Sequence, residues 1–295
     1  MATTYPTPVA LYNETIRIIN RSTGEWLKFL NSACRNYKLD FSDLVLVYAQ
    51  RPDAIALLPF KRWQKDYQRW INAGSTGIAV FDKTKRGQGI RYYFDVADTS
   101  PSRYSIPIPL WTMKPEYEQA AIESLENTFG ELESKHTLPY AIVSAAENAA
   151  EDHMQSYLEE LLSSQENSLL EGLDEQNVTV LFRRLLTNSV AYMMMQRCGI
   201  DGIQYRNDAD FWRLTELNTP ETINILGTAT RDIAGIGLRE IGRTVSTFRS
   251  RDDSLDYAPD QRRDTPVGAT HRTVAESKET VHNESRNDFD EPERS

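Results

Sequence analysis

The sequence predicts an α+β fold: helices plus a small antiparallel sheet in an N-terminal module, followed by an all-helical domain and a disordered tail. Apolar residues recur at helical spacing up to residue 50, and alternation broken by glycines replaces that spacing between residues 69 and 98. Helical spacing returns over residues 115–250 and then stops. We therefore expect three parts, which span residues 11–110, 111–250 and 251–295.

Helices open the N-terminal module. Apolar residues around Trp26 fall on one face of a helix. Ser42 is placed to cap a short helix over residues 44–50 that Pro52 stops, and Pro59 is placed to begin another. Because residues 44–50 are apolar on all sides, we expect that helix to be buried.

Strands follow the helices of the module. The alternating segments 69–73 and 77–82 are separated by two glycines, which predicts a hairpin between them. Residues 83–89 then form a basic loop, and residues 90–96 form the next strand. The proline-containing segment 100–109 is predicted to be an extended linker.

The helical domain shows start and stop signals. Asp174 or Asn177 is placed to begin a helix in this region, and Gly199 ends the helix that contains residues 178–198. Thr219 followed by proline is a strong start signal. Short connections between these helices predict a bundle of antiparallel neighbours.

Several residues of unusual type have structural interpretations. Three consecutive methionines are interpreted as a core turn, two distant cysteines as buried free thiols, and three glycines as points of close helix packing. These residues are Met193, Met194 and Met195; Cys34 and Cys198; Gly235, Gly237 and Gly242.

Charge is distributed unevenly along the chain. The net charge of −10 conceals a basic N-terminal part, residues 1–110, with 15 Lys and Arg against 9 Asp and Glu. Residues 111–250 hold 11 basic against 22 acidic residues, and residues 251–295 hold 7 against 12. A basic module beside an acidic one favours an anionic ligand for the N-terminal part, although ordinary surface variation explains the same distribution.

Four blocks of the module carry a resemblance to a known family. They are LVLVYAQRPDA from Leu44, PFKRWQ from Pro59, GSTGIAVFD from Gly74 and YYFDVAD from Tyr92. In this order they resemble the N-terminal domain of the ArdC antirestriction proteins, over residues 25–99. That family's domain binds single-stranded DNA and is found on plasmids and conjugative elements.

The resemblance implies a module that binds single-stranded DNA, largely independent of sequence, on a mobile genetic element. Proteins that do so combine a cationic groove with aromatic side chains on which bases stack. Residues of both kinds are present here. The candidate DNA-binding residues are Arg51, Lys61, Arg62, Lys65, Tyr67, Arg69, Trp70, Lys83, Lys85, Arg86, Arg91 and Tyr92.

Alternation along the strands separates stacking platforms from core residues. Tyr92 and Tyr93 point to opposite faces of one strand, so at most one of them is a platform. Ile71 is the natural core residue of its strand, which leaves Trp70 on the outer face. Trp63, on a short helix, is predicted to be a core residue.

We find no constellation of catalytic or metal-binding residues in the sequence. None of the histidines forms a His-Glu-x-x-His pair, so the metalloprotease chemistry of full-length ArdC proteins has no counterpart here. We therefore expect no enzymatic activity, no metal and no cofactor. The four histidines are His136, His153, His271 and His282.

Localisation is predicted from what the sequence lacks. Residues 1–10 do not resemble a signal peptide, and the apolar runs are far shorter than the ~20 residues of a membrane span. Two separated cysteines also fit a reducing compartment. We expect a cytoplasmic protein that does not contact a membrane.

A second function competes with DNA binding. The acidic helical domain is also typical of a protein-interaction adaptor, whose partners would be other proteins of a conjugative element. Residues 72–77 replace a basic run of the ArdC family, which favours the adaptor, whereas the basic loop from Lys83 favours DNA. The resemblance also allows the chain to be part of a larger helicase or methyltransferase protein.

Overall fold

Helices and two small antiparallel sheets build the described part of the chain. A computed structural model describes residues 7–82, 84, 89–205 and 211–255, the last seven by their backbone alone. The helices are α1 (Pro8–Ile19), α2 (Thr23–Ala33), α3 (Phe41–Gln50), α4 (Phe60–Tyr67), α5 (Glu118–Phe129), α6 (Leu138–His153), α7 (Gln155–Ser163), α8 (Glu175–Arg197) and α9 (Pro220–Leu255). The strands are β1 (Leu57–Pro59), β2 (Arg69–Ile71), β3 (Ile78–Phe81), β4 (Ile90–Asp95) and β5 (Thr99–Pro101). The α+β class predicted from the sequence is confirmed.

Side-chain caps begin the two longest helices, as expected. The Asp174 carboxylate accepts a hydrogen bond from the Asn177 amide at 2.9 Å, which decides between these two residues as the cap of α8. The Thr219 hydroxyl accepts from the Thr222 amide at 3.2 Å at the start of α9. At the end of α8, Gly199 has a φ of 77°, the left-handed conformation of a C-terminal glycine.

The start of α3 differs from its prediction. The helix begins at Phe41 and not behind Ser42, and Asp40 precedes it in extended backbone. Phe41 belongs to the helix because its buried ring packs on Phe29 of α2, with ring centroids 5.5 Å apart. Its ring also fills the space where Gly227 of α9 has no side chain.

Strand pairing also differs from its prediction. The hairpin is formed by β3 and β4, and β1 completes a three-stranded sheet in the order β1-β4-β3. The predicted pairing of residues 69–73 with 77–82 is wrong, because β2 pairs with β5 inside the segment predicted to be a linker. The Asn72 amide donates to the Asp98 carbonyl at 2.8 Å, and Arg69 donates to Thr99, so bonds to a distant segment hold β2.

One face of the three-stranded sheet packs against helix α3. Ile78 and Val80 of β3 and Tyr93 of β4 form a small core with Leu46 and Val47 of α3. This inner face confirms that the apolar helix near residue 47 is buried, and it leaves the alternate side chains of β3 and β4 on the opposite face.

The larger core joins the N-terminal helices to the helical domain. It runs from Ile16 in α1 to Val245 in α9, and the buried Trp26 indole donates to the Ser189 hydroxyl of α8 at 2.9 Å. Helices from both sides of residue 110 therefore share one core.

The interpretations of the sulfur-containing residues and of two glycines are confirmed. Met193, Met194 and Met195 are buried, and Cys34 and Cys198 are buried free thiols. A Cβ atom at Gly237 would lie 2.6 Å from a methionine methyl group of α8, and one at Gly242 would lie 2.7 Å from the Trp111 indole. Gly235 meets only Arg239 of its own helix this closely.

Helix α9 runs to Leu255, so residues 251–255, the first five of the predicted tail, are helical. Residues 256–295 lie outside the described residues, and so does the prediction made for them.

Candidate nucleic-acid interface

Aromatic side chains occupy the outer face of the three-stranded sheet. Tyr92 is 53% exposed, and its strand neighbour Phe94 lies on the same side, since a Cβ atom at Gly77 would touch both. The half-exposed ring of Phe60 stands edge-on to Phe94, with centroids 6.5 Å apart. We call Phe60, Tyr92 and Phe94 the aromatic face.

Alternation along β4 creates this face. Tyr93 points inward to the small core, and Tyr92 points outward, so the two tyrosines lie on opposite faces of the strand as alternation predicts. Gly77 keeps the surface open, because a Cβ atom there would lie 3.0 Å from Phe94 and 3.1 Å from Tyr92. An open row of rings on a strand is the arrangement on which bases stack.

Helix α4, which carries Phe60, also carries positive charge. Lys61 follows Phe60 directly, and Lys65 lies one turn beyond Lys61 on the same side of the helix; both are exposed. Arg62 is also exposed, but its guanidinium donates to Asp66 at 2.5 Å, which offsets its charge. Lys61 and Lys65 are therefore exposed cations on the helix that supplies one ring of the aromatic face.

Three predicted cations have structural roles instead. Arg51 pairs with Asp98, and Arg69 donates to both the hydroxyl and the carbonyl of Thr99, so these arginines tie the segment after β4 to the rest of the module. Both arginines are therefore engaged within the module, and their assignment as DNA contacts stays a prediction. Their donors are used by partners roughly 30 to 47 residues away in the chain.

Arg91 has the clearest structural role of these three cations. It lies on the inner face of β4 and pairs with the buried carboxylate of Asp43 at 2.6 Å, with its guanidinium 5.1 Å from the centre of the Tyr93 ring. Burial lowers the pKa of Arg91, but the hydrogen bond to Asp43 and the negative charge of that carboxylate together raise the pKa above its ordinary value. Arg91 therefore holds the sheet to α3 and does not face a ligand on the outer side.

The remaining aromatic predictions divide between surface and core. Trp70 is 53% exposed on β2, opposite Ser100 of β5, in the separate two-stranded sheet. Tyr67 packs its ring on Trp63, with centroids 5.7 Å apart, and is not free to stack. Trp63 is fully buried, as predicted.

Three of the predicted cations, Lys83, Lys85 and Arg86, lie outside the described residues. One aromatic residue of the sheet surface was not predicted. Phe60 was not predicted as a surface residue, because its helical spacing to Trp63 is typical of a shared buried face. Its exposure follows from the position of α4 at the sheet edge, for which the sequence holds no signal.

The described ranges hold neither a group of metal ligands nor a helix able to span a membrane. Within residues 7–82, 84, 89–205 and 211–255, no three metal-ligating side chains are grouped together. Within the same ranges, every helix is too short or too polar to cross a bilayer.

Comparison with models of known protein families, with curated proteins and with solved structures found no match to this chain. The ArdC resemblance remains an expectation from the four sequence blocks.

Proposed function

We propose that this chain binds single-stranded DNA, largely independent of sequence, on the aromatic face and the adjoining side of α4. The observation that supports this most is the exposure of Tyr92 on an open aromatic sheet face, whose ring Phe60 belongs to the same helix as the exposed Lys61 and Lys65. Stacking on rings accepts every base, and amines neutralise phosphates without reading sequence. Trp70 provides a second platform on the neighbouring two-stranded sheet.

The resemblance to ArdC proteins supports the same proposal and supplies its setting. It implies a role in DNA processing or antirestriction on a plasmid or conjugative element. In such a role the chain acts as a binding protein and not as an enzyme, and neither a cofactor nor a metal takes part. The acidic residues of 111–250 repel DNA, so they keep a bound strand on the N-terminal part.

A fluorescence-anisotropy titration with a labelled 5′-hydroxyl oligonucleotide tests the proposal. Each phosphate neutralised should contribute about −0.7 to the slope of log affinity against log salt. Tyr92→Ala and Trp70→Ala should each weaken binding about tenfold, because stacking of one base is worth about 1–3 kcal/mol. Both variants should unfold at nearly the wild-type urea concentration.

Trp212→Ala is the matched control for these variants. Trp212 is 67% exposed and lies in the acidic part of the chain, so its removal should leave affinity unchanged. A salt slope near zero, or equal affinity in all three variants, would refute binding on the aromatic face.

A protein-interaction adaptor is a second candidate, and a groove favours it. A cavity of about 880 Å³ lies along α6 and α8, where Val180 is 62% exposed. Its charged lining residues are balanced, with two glutamates and two arginines: Glu147, Glu175, Arg183 and Arg184. The surrounding residues 111–250 carry twice as many acidic as basic side chains. Because these surroundings are acidic, the occupant that they favour is a cationic amphipathic helix.

A labelled amphipathic peptide of leucine and lysine tests the adaptor. Val180→Arg should weaken its binding about tenfold, since the substitution adds a like charge and removes an apolar contact. Leu169→Arg is the control, because Leu169 is equally exposed and lies outside the groove. Equal affinity of the peptide for both variants would exclude this groove as its site.

A further inference from the structure

A cleft of about 160 Å³ lies away from the aromatic face, where the module meets the helical domain. Its walls come from the turn after α2, from β1 and α4, from residues 108–111 and from the end of α8. Most of the lining is apolar or aromatic, and Tyr37, Trp63, Tyr67 and Trp111 contribute rings.

Cations line this cleft without acidic neighbours. Arg35, Lys38 and Arg197 all face it, and none of the described lining residues carries a carboxylate. In a chain with 43 acidic residues, three cations around one small cavity without an acid mark a local excess of positive charge. Such an excess inside walls of low polarity attracts an anion.

Arg197 is the centre of this arrangement. It is the last residue of α8, its guanidinium carbon lies 3.6 Å from the centre of the Trp111 ring, and one N–H donates to the Trp111 carbonyl at 2.9 Å. Burial lowers its pKa, and no carboxylate of the described residues pairs with it. By contrast, Arg51, Arg91 and Arg231 all pair with aspartates.

Arg35 and Lys38 are the other two cations of the cleft lining. Arg35 donates to three backbone carbonyls, those of Asn31, Pro52 and Ala54, so its guanidinium is immobilised without being neutralised. The exposed Lys38 amine lies 5.9 Å from the centre of the Tyr37 ring. Packing on Trp111 explains the position of Arg197, but it does not explain a cleft with three cations and no acid.

We propose that this cleft binds a single nucleotide through its 5′-phosphate, with the apolar walls contacting the adjoining nucleoside. A guanidinium and an amine are the groups that proteins use to bind phosphate. The volume is below the 300–1,000 Å³ typical of drug-sized ligands, so the cleft takes the phosphate and the part of the nucleotide nearest to it, and the rest stays at the open mouth. The nucleotide is either free or the 5′ end of a DNA strand, and this site is separate from the aromatic face.

Calorimetric titration of the full chain tests the proposal. Deoxyadenosine 5′-monophosphate should bind, and deoxyadenosine and inorganic phosphate should each bind at least about tenfold more weakly, because each lacks one half of the recognised group. Lys38→Gln and Arg197→Gln should both weaken nucleotide binding about tenfold. Arg17→Gln, which removes an exposed charge of α1 far from the lining, should bind like the wild type.

Oligonucleotides with and without a 5′-phosphate separate the two sources. If the cleft takes a strand end, the 5′-phosphate should strengthen binding in the wild type and not in Lys38→Gln, even where the free nucleotide does not bind. Lys38 has an exposed side chain, so this variant keeps the test valid if Arg197→Gln fails to fold.

The proposal is overturned if neither the nucleotide nor the 5′-phosphate has an effect that depends on Lys38. It is also overturned if inorganic phosphate binds as tightly as the nucleotide. Binding of the 5′-hydroxyl oligonucleotide, and its loss in Tyr92→Ala, report on the aromatic face alone. Failure at the cleft is therefore distinguishable from failure of the proposed DNA binding.

Discussion

Trp63→Ala should destabilise the protein by about 3–5 kcal/mol, the usual cost of truncating a buried tryptophan. The Trp63 side chain is fully buried, its indole N–H donates to the Phe94 carbonyl of β4 at 2.8 Å, and its ring packs on Tyr67. Truncation leaves a cavity under α4 and removes the hydrogen bond from the indole to β4. Urea unfolding followed by circular dichroism measures the loss.

Trp70→Ala is the natural control for this variant, because it removes the same side chain from an exposed position of the next element. It should change the free energy of unfolding by less than about 0.5 kcal/mol. If Trp63→Ala and Trp70→Ala lower stability equally, helix α4 does not sit on the sheet as described. The pair thus separates a structural tryptophan from a binding one.

Arg91→Ala should cost about 3 kcal/mol of stability, because it leaves the buried carboxylate of Asp43 without its guanidinium. We expect the lower end of the range for buried pairs, since the Arg91 side chain is one-third exposed to solvent. The double variant Asp43→Asn with Arg91→Met should recover most of the loss, because no charge then stays buried. Urea unfolding of the three proteins measures both effects.

Arg91→Ala also distinguishes a structural arginine from a phosphate contact. Among molecules that remain folded, its affinity for a single-stranded oligonucleotide and its salt slope should equal those of the wild type. Lys61→Gln, which removes an exposed amine beside the aromatic face, is the comparison and should reduce the salt slope by about 0.7. A stable Arg91→Ala protein with weakened DNA binding would show that Arg91 faces the ligand.

Local signals in the sequence were enough to predict the helices and to assign the side chains of β4 to two opposite faces. Helical periodicity and caps such as Asp174 and Thr219 depend on neighbours within a few residues, and the structure confirms them. Strict alternation likewise places Tyr93 in the core and Tyr92 outside without reference to the rest of the fold. The buried methionines of α8 follow from the same local pattern.

Only the tertiary structure decided which strands pair and which cations are free. The glycines before β3 are typical of a hairpin turn, but bonds from Arg69 and Asn72 to residues 98 and 99 hold β2 against β5 instead. Amino-acid composition does not distinguish Arg91 from Lys61, because both count as positive charges. The charge of Arg91 is neutralised by Asp43, which lies 48 residues away in the chain. Periodicity over a few residues does not report such a distant contact.

The aromatic face and the cleft that contains Arg197 both arise from packing between distant parts of the chain. Phe60 meets Phe94, and Arg197 meets Trp111 86 residues earlier in the chain, only because separate elements pack together. The sequence by itself determined the fold class, the starts of α8 and α9 at their caps, and the number of basic and aromatic residues in the module. Packing determined which of those residues are neutralised, buried or left exposed, because burial and ion pairing depend on contacts between distant parts of the chain.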